Sequence, residues 1–174
     1  MSEKALEALK KGMQTELRGM RFYTQAAEHV QDETGKRVLQ TLAEEEKKHL
    51  EVLRGQYAAL TGGQGWLSLA EAREMAASVE DVGVFPEAEE AEELIPADAT
   101  DEKTLVLAMD FEWSGYELYK KAAEEAETPQ EKAIWEFLAK AENDHFSFIQ
   151  DTYEYLTTDG VWYFDDQEFP FFEG

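Results

Sequence analysis

Glu16-Leu-Arg-Gly-Met-Arg-Phe-Tyr23, followed by Ala26, Ala27 and Glu28, returns 96 residues later as Glu112-Trp-Ser-Gly-Tyr-Glu-Leu-Tyr119, followed by Ala122, Ala123 and Glu124. Further along, Leu42-Ala43 leads into Glu46-Lys-Lys-His49, and Leu138-Ala139 leads into Glu142-Asn-Asp-His145. The same shift of 96 residues relates every pair without a gap. A duplicated Glu…Glu-x-x-His supplies four carboxylates and two imidazoles from four helices. That is the ligand set of a two-metal carboxylate site inside a helical bundle.

Four periodic segments carry these residues, and each predicts a long amphipathic helix. The first runs from about Glu3 to Val30 and aligns Leu6, Leu9, Met13, Glu16, Met20, Tyr23, Ala27 and Val30. The second, from about Lys36 to Leu60, aligns Val38, Leu42, Glu46, His49, Leu53, Tyr57 and Leu60. The third, from about Asp101 to Ala126, aligns Leu105, Met109, Glu112, Tyr116, Tyr119 and Ala123. The fourth, from about Gln130 to Leu156, aligns Ile134, Leu138, Glu142, His145, Ile149, Tyr153 and Leu156. Short polar connections, Gln31–Gly35 and the Thr128-Pro129-Gln130-Glu131 start signal, make each pair an antiparallel hairpin. The expected fold is therefore all-α: two duplicated hairpins joined by a long crossover over residues 61–100, with a possible short helix around Ser68–Ser78. The bundle spans residues 1–156. The aromatic extension 157–174 is expected to pack on it or on a partner subunit.

The position of the acids is more telling than their number. Of 39 Asp and Glu residues, most belong on a solvated face. Glu16, Glu46, Glu112 and Glu142 instead hold stripe positions where leucine would be expected. Buried and unpaired, each would cost several kcal/mol. Divalent cations remove that cost, since four carboxylates balance two such ions and two neutral imidazoles complete the shells. Residues i and i+3 lie ~4.5 Å apart along a helix on nearly one face, so Glu46 reaches the same centre as His49, and Glu142 the same centre as His145. Glu46 and Glu142 would bridge, with Glu16 and His49 completing one shell and Glu112 and His145 the other; the spacing leaves open which histidine serves which ion. His29 has no counterpart in the second half and is expected to be an ordinary surface histidine.

Oxygen and nitrogen ligands without thiolate suit iron or manganese, with zinc as an opportunistic occupant. Tyr23 and Tyr119 fall two turns beyond Glu16 and Glu112, where each buried phenol needs a partner; a ligand carboxylate on another helix fits, and such groups orient ligands. Gly19 and Gly115 are matched too, although glycine inside a helix costs about 1 kcal/mol relative to alanine. Close helix packing and space for dioxygen, peroxide or water both account for them.

Composition narrows the function further. A net charge of −23 opposes nucleic acid and anionic membranes. It serves solubility, and local enrichment of cations such as ferrous ion is a second use. No stretch approaches the ~20 apolar residues of a membrane span, and the start is no signal peptide, so a cytoplasmic protein is expected. There is no cysteine, hence no disulfide and no thiolate site.

At these residues the chain resembles the ferritin-like superfamily, and within it the rubrerythrin-type and bacterioferritin-type di-iron proteins. The resemblance covers all four helices; the long crossover and the ending Phe171-Phe172-Glu173-Gly174 are more similar to the rubrerythrin branch. It implies a ferritin-like four-helix bundle, two iron ions in a non-haem centre, and oxidoreductase chemistry with dioxygen or hydrogen peroxide, at the expense of ferrous iron or a small electron carrier. A homodimer is expected for such an enzyme; the alternative, ferritin-like iron storage with ferroxidase activity, predicts a very large assembly. Two departures matter. Rubrerythrins usually add a domain holding one iron with four cysteines; here the electrons are expected from a separate donor such as a rubredoxin. They also carry an extra carboxylate three residues after the third-helix ligand. That position is Gly115, which moves the expected site towards a simpler six-ligand, ferroxidase pattern.

Overall fold

A computed structural model of the chain describes residues 3–79 and 93–163. They form five α-helices and, among the described residues, no strand: α1 (Glu3–His29), α2 (Glu33–Thr61), α3 (Leu69–Ser78), α4 (Asp101–Glu125) and α5 (Pro129–Asp159). α1 packs along α2 and α4 along α5, while α1 meets α4 and α3 covers part of α2. This is the ferritin-like bundle of paired hairpins.

The helix ends follow local chemistry. Asp32 caps α2, its side chain accepting from the Gly35 backbone N–H at 2.9 Å, so α2 begins three residues before the expected Lys36. Thr128 caps α5 with Pro129 at its first turn, as the sequence predicts. The Glu131 carboxylate takes the N–H of Glu127, one residue outside the cap, at 3.0 Å. α5 continues past Leu156 to Asp159 and stops at Gly160, whose φ of +70° terminates the helix in the left-handed region.

The described parts of the crossover meet the bundle near its two ends. α3 lies so close to α2 that a Cβ on Gly55 would fall 1.7 Å from the Ala72 carbonyl oxygen. Gln56 fixes the approach to α3 by bonding both the carbonyl and the N–H of Leu67, at 2.7 and 2.9 Å. At the far end Ile95 is buried and the Leu94 N–H donates to Gln25 of α1. His29, expected on the surface, is instead half-buried, with Nε2 2.7 Å from the Ala99 carbonyl oxygen. It ties the end of α1 to the chain entering α4, so α1 and α4 run antiparallel. The stretch around Phe85 and Pro86 lies outside the described residues.

Two apolar clusters fill the bundle. One gathers Phe22, Val38, Leu39, Leu42, Leu105, Phe148, Ile149 and Leu156. The other gathers Leu9, Val52, Leu53, Leu60, Ile134, Trp135, Leu138 and Ala123. The 96-residue shift exchanges them: Val38, Leu39 and Leu42 map onto Ile134, Trp135 and Leu138, and Leu9, Val52, Leu53 and Leu60 onto Leu105, Phe148, Ile149 and Leu156. The halves are thus related by a pseudo-two-fold axis across the bundle, and the repeated Glu and His residues lie where that axis passes.

Of the extension expected over residues 157–174, Thr157 to Tyr163 are described, the first three of them as the end of α5, and Phe164 to Gly174 are not. Trp162 packs into the first cluster, its ring against Gly35 and its indole N–H donating to Asp101 at 2.9 Å. A Cβ on Gly35 would stand 2.6 Å from that ring, so this glycine serves the packing of Trp162. Trp162→Ala is expected to cost about 3 kcal/mol, lowering the melting temperature by roughly 6–12 °C; thermal melts read it. A loss under about 1 kcal/mol would show that this contact does not hold the extension to the bundle.

Candidate metal centre

Glu16 on α1, Glu46 and His49 on α2, Glu112 on α4 and Glu142 and His145 on α5 are all at most 3% exposed. Each reaches the same interior layer because it replaces an apolar residue in its helix's inward stripe. Their ligand atoms form two groups, each within 4.8 Å: Glu16, Glu46, His49 and Glu142, and Glu46, Glu112, Glu142 and His145. Glu46 and Glu142 belong to both. The His49 Nδ1 lies 3.6 Å from Glu16 and 3.2 Å from Glu142. The His145 Nδ1 lies 3.3 Å from Glu46 and 3.4 Å from Glu112. The two rings stack at 5.5 Å across the pseudo-two-fold axis.

Each tyrosine bonds the opposite half. The Tyr23 O–H donates to Glu112 Oε1, and the Tyr119 O–H donates to Glu16 Oε1. The pairing is reciprocal because α1 and α4 are antiparallel, so two turns beyond one ligand is the level of the other. Tyr119 also stacks on the buried Trp135, with centroids 5.8 Å apart.

Burial and charge move Glu16, Glu46, Glu142, His145, Tyr23 and Tyr119 away from their ordinary values. Burial, and then neighbouring carboxylates, push Glu46 and Glu142 well above the usual value. Burial and then Glu112 push Tyr23 up, and burial and then Glu16 push Tyr119 up. Burial would raise Glu16 also, but its contact with Glu46 and the charge of His49 hold it below. For His145, burial favours the neutral ring, yet Glu112 outweighs it and the group is raised.

The atoms facing inward test the fit to metal. Glu16 Oε2, Glu46 Oε1, Glu112 Oε2, Glu142 Oε1 and His145 Nδ1 are buried without a hydrogen-bond partner. An atom left in that state costs about 1–3 kcal/mol. All five belong to the two groups above. Ions accepting these lone pairs relieve the whole set, and the donors fit iron or manganese.

At Gly19 and Gly115, which the sequence leaves open to close packing or to space for dioxygen or solvent, the nearest neighbours are carboxylate oxygens. A Cβ on Gly19 would meet Glu46 Oε2 at 3.1 Å, and one on Gly115 would meet Glu142 Oε2 at 2.5 Å. The room they leave is filled by the two shared carboxylates. Glu45 is an acid that the sequence does not single out; it is 2% exposed, one residue from Glu46, and paired to Lys48 at 2.6 Å.

Fold and cluster together define a class: a ferritin-like helical bundle with a buried carboxylate–histidine layer compatible with a di-iron site. The sequence model of the rubrerythrin family matches residues 7–153, and the chain belongs to that family. Among solved structures, a hypothetical protein from Pyrococcus furiosus is similar, at 25% identity and a TM-score of 0.65, over 91% of this chain and 93% of that one. No curated protein matches the chain. No helix of the described residues is long and apolar enough to cross a membrane.

Proposed function

We propose that this protein is a di-iron oxidoreductase that reduces dioxygen or hydrogen peroxide, drawing electrons from ferrous iron or a separate small carrier such as a rubredoxin, and that it works in the cytoplasm as a homodimer. One observation carries the reading: two groups of four ligand atoms share Glu46 and Glu142, an arrangement suited to two ions held side by side. Iron held by these residues would supply a redox pair able to pass electrons from the donor to an oxygen–oxygen bond. The chain's own residues do the rest. Glu46 and Glu142 set the spacing of the two positions, and Glu16 with His49, and Glu112 with His145, complete each side. Burial keeps Tyr23 and Tyr119 protonated, so each holds a proton against the Glu112 or Glu16 oxygen that faces it. The apolar clusters flank the layer along the bundle and restrict water.

Glycine at position 115 offers no further ligand, so the two ions are expected to keep one ligand set in both oxidation states. Stopped-flow oxidation of the di-ferrous protein, at equal concentrations of dioxygen and hydrogen peroxide, tests this. Comparable rates, or faster reaction with dioxygen, are expected. A preference for peroxide of about a hundredfold or more, near 2.7 kcal/mol of barrier, would show that peroxidase chemistry does not need another carboxylate.

A further inference from the structure

The interior glycines of the helices meet different neighbours. A Cβ on Gly12 would touch Leu53 and Tyr119, one on Gly35 the Trp162 ring, and one on Gly55 the backbone of Ala72. At Gly19 and Gly115 the nearest atom is a carboxylate oxygen, and the two stand 96 residues apart at equivalent places in the duplication. Each lies one turn after a ligand glutamate and faces the shared glutamate of its own hairpin. Glycine is a poor helix former, and its use twice at one level calls for a local cause.

The two oxygens of each shared carboxylate have different surroundings. Oε2 of Glu46 and of Glu142 is the one beside the glycine. Oε1 of Glu46 points across the bundle to His145 at 3.3 Å, and Oε1 of Glu142 points to His49 at 3.2 Å. One oxygen is thus seated in its own hairpin while the other reaches into the opposite one. We propose that Gly19 and Gly115 are positioning residues for Glu46 and Glu142: bare backbone at these points lets each carboxylate lie against the neighbouring helix, so that one group serves both metal positions. The inference rests on the metal-centre reading. The seats are unequal. Next to Gly115 a Cβ would also stand 3.1 Å from Cδ and 3.3 Å from Cγ of Glu142, so the side chain must move away from α4. Next to Gly19 the corresponding distances to Glu46 are 3.5 Å, and a few tenths of an ångström of adjustment suffices.

The test compares Gly115→Ala and Gly19→Ala with the wild-type protein. All three are stripped of metal, checked for helical content by circular dichroism, and titrated with ferrous ion alone under anaerobic equilibrium dialysis. Gly115→Ala is expected to fold and to lose about tenfold or more in affinity for both ions, because Glu142 belongs to both groups. Gly19→Ala is expected to lose less, while its metal-free form melts no lower than wild type, alanine being the better helix former. Wild-type titration curves in both folded variants would overturn the proposal. So would failure of Gly115→Ala to fold together with wild-type binding by Gly19→Ala, since the glycines would then serve packing alone. A wild-type protein that takes up no pair of ions would instead sink the metal-centre reading beneath it.

Discussion

Alanine in place of Glu142, or of Glu46, is expected to reduce the metal content from about two ions per chain to well under one. Each of these glutamates offers an atom to both ligand groups, so one substitution strips a ligand from each ion at once. Glu16→Ala provides the contrast. It leaves Glu46, Glu112, Glu142 and His145 in place, and one ion should persist. The fold should survive either change, because without metal Glu46 and Glu142 are forced towards the protonated form by burial and then by neighbouring carboxylates, Glu142 first for Glu46 and Glu16 first for Glu142. Elemental analysis of protein from iron-replete cells, with circular dichroism as the check on folding, reads the result. Full metal content in both Glu46→Ala and Glu142→Ala would remove the basis for a shared-carboxylate site.

Loading the site should also reverse the way stability answers to pH. In the metal-free protein Glu46 and Glu142 titrate above the usual carboxylate value of 4.5, and His145 above its usual 6.5. A group raised on folding contributes stability that is present below its unfolded value and lost as pH climbs through the folded one. Glu16 is lowered and works the other way, its contribution disappearing only as pH falls below 4.5 through its folded value. From about pH 5 upward the three raised groups govern, and the metal-free protein should become less stable. Metal binding needs deprotonated ligands, so its stabilisation grows over the same range. At a free concentration about a thousand times the dissociation constant, each ion adds about 4 kcal/mol, or roughly 8–16 °C in melting temperature. Melts of both forms at about pH 5 and about pH 8 should show opposite slopes. Parallel slopes would mean that the buried acids are not what the ions bind.

Much of this architecture was readable along the chain because it is written in local periodicity. The stripes through Leu9, Glu16 and Tyr23, and through Leu138, Glu142 and His145, advance in helical steps, and the acids stand out only because their neighbours on the stripe are apolar. Thr128 and Pro129 are start signals that act within one turn. What escaped depends on which elements meet. Gly35 reads as part of a turn until Trp162, far along the sequence, arrives against it. His29 looks like a surface residue until Ala99 returns to it at the end of the crossover. Gly19 and Gly115 left packing and open space equally plausible, because the answer lies in where the carboxylates of other helices come to rest. Glu45 is indistinguishable from its solvated neighbours by spacing alone.

The way the ligands divide between the hairpins has a consequence for the connection between them. The first group takes three residues from α1 and α2 and one, Glu142, from α5; the second takes three from α4 and α5 and one, Glu46, from α2. Ions held there form a non-covalent staple between residues 46 and 142, closing a loop of about a hundred residues. In chain-entropy terms a cross-link closing such a loop restricts the unfolded ensemble by about 4–5 kcal/mol. The contacts of Gln56 with Leu67 and of His29 with Ala99 would then need only to guide the connection. With ions bound, the register of one half against the other would be set at the middle of the bundle, by two glutamates that each reach the neighbouring half's group.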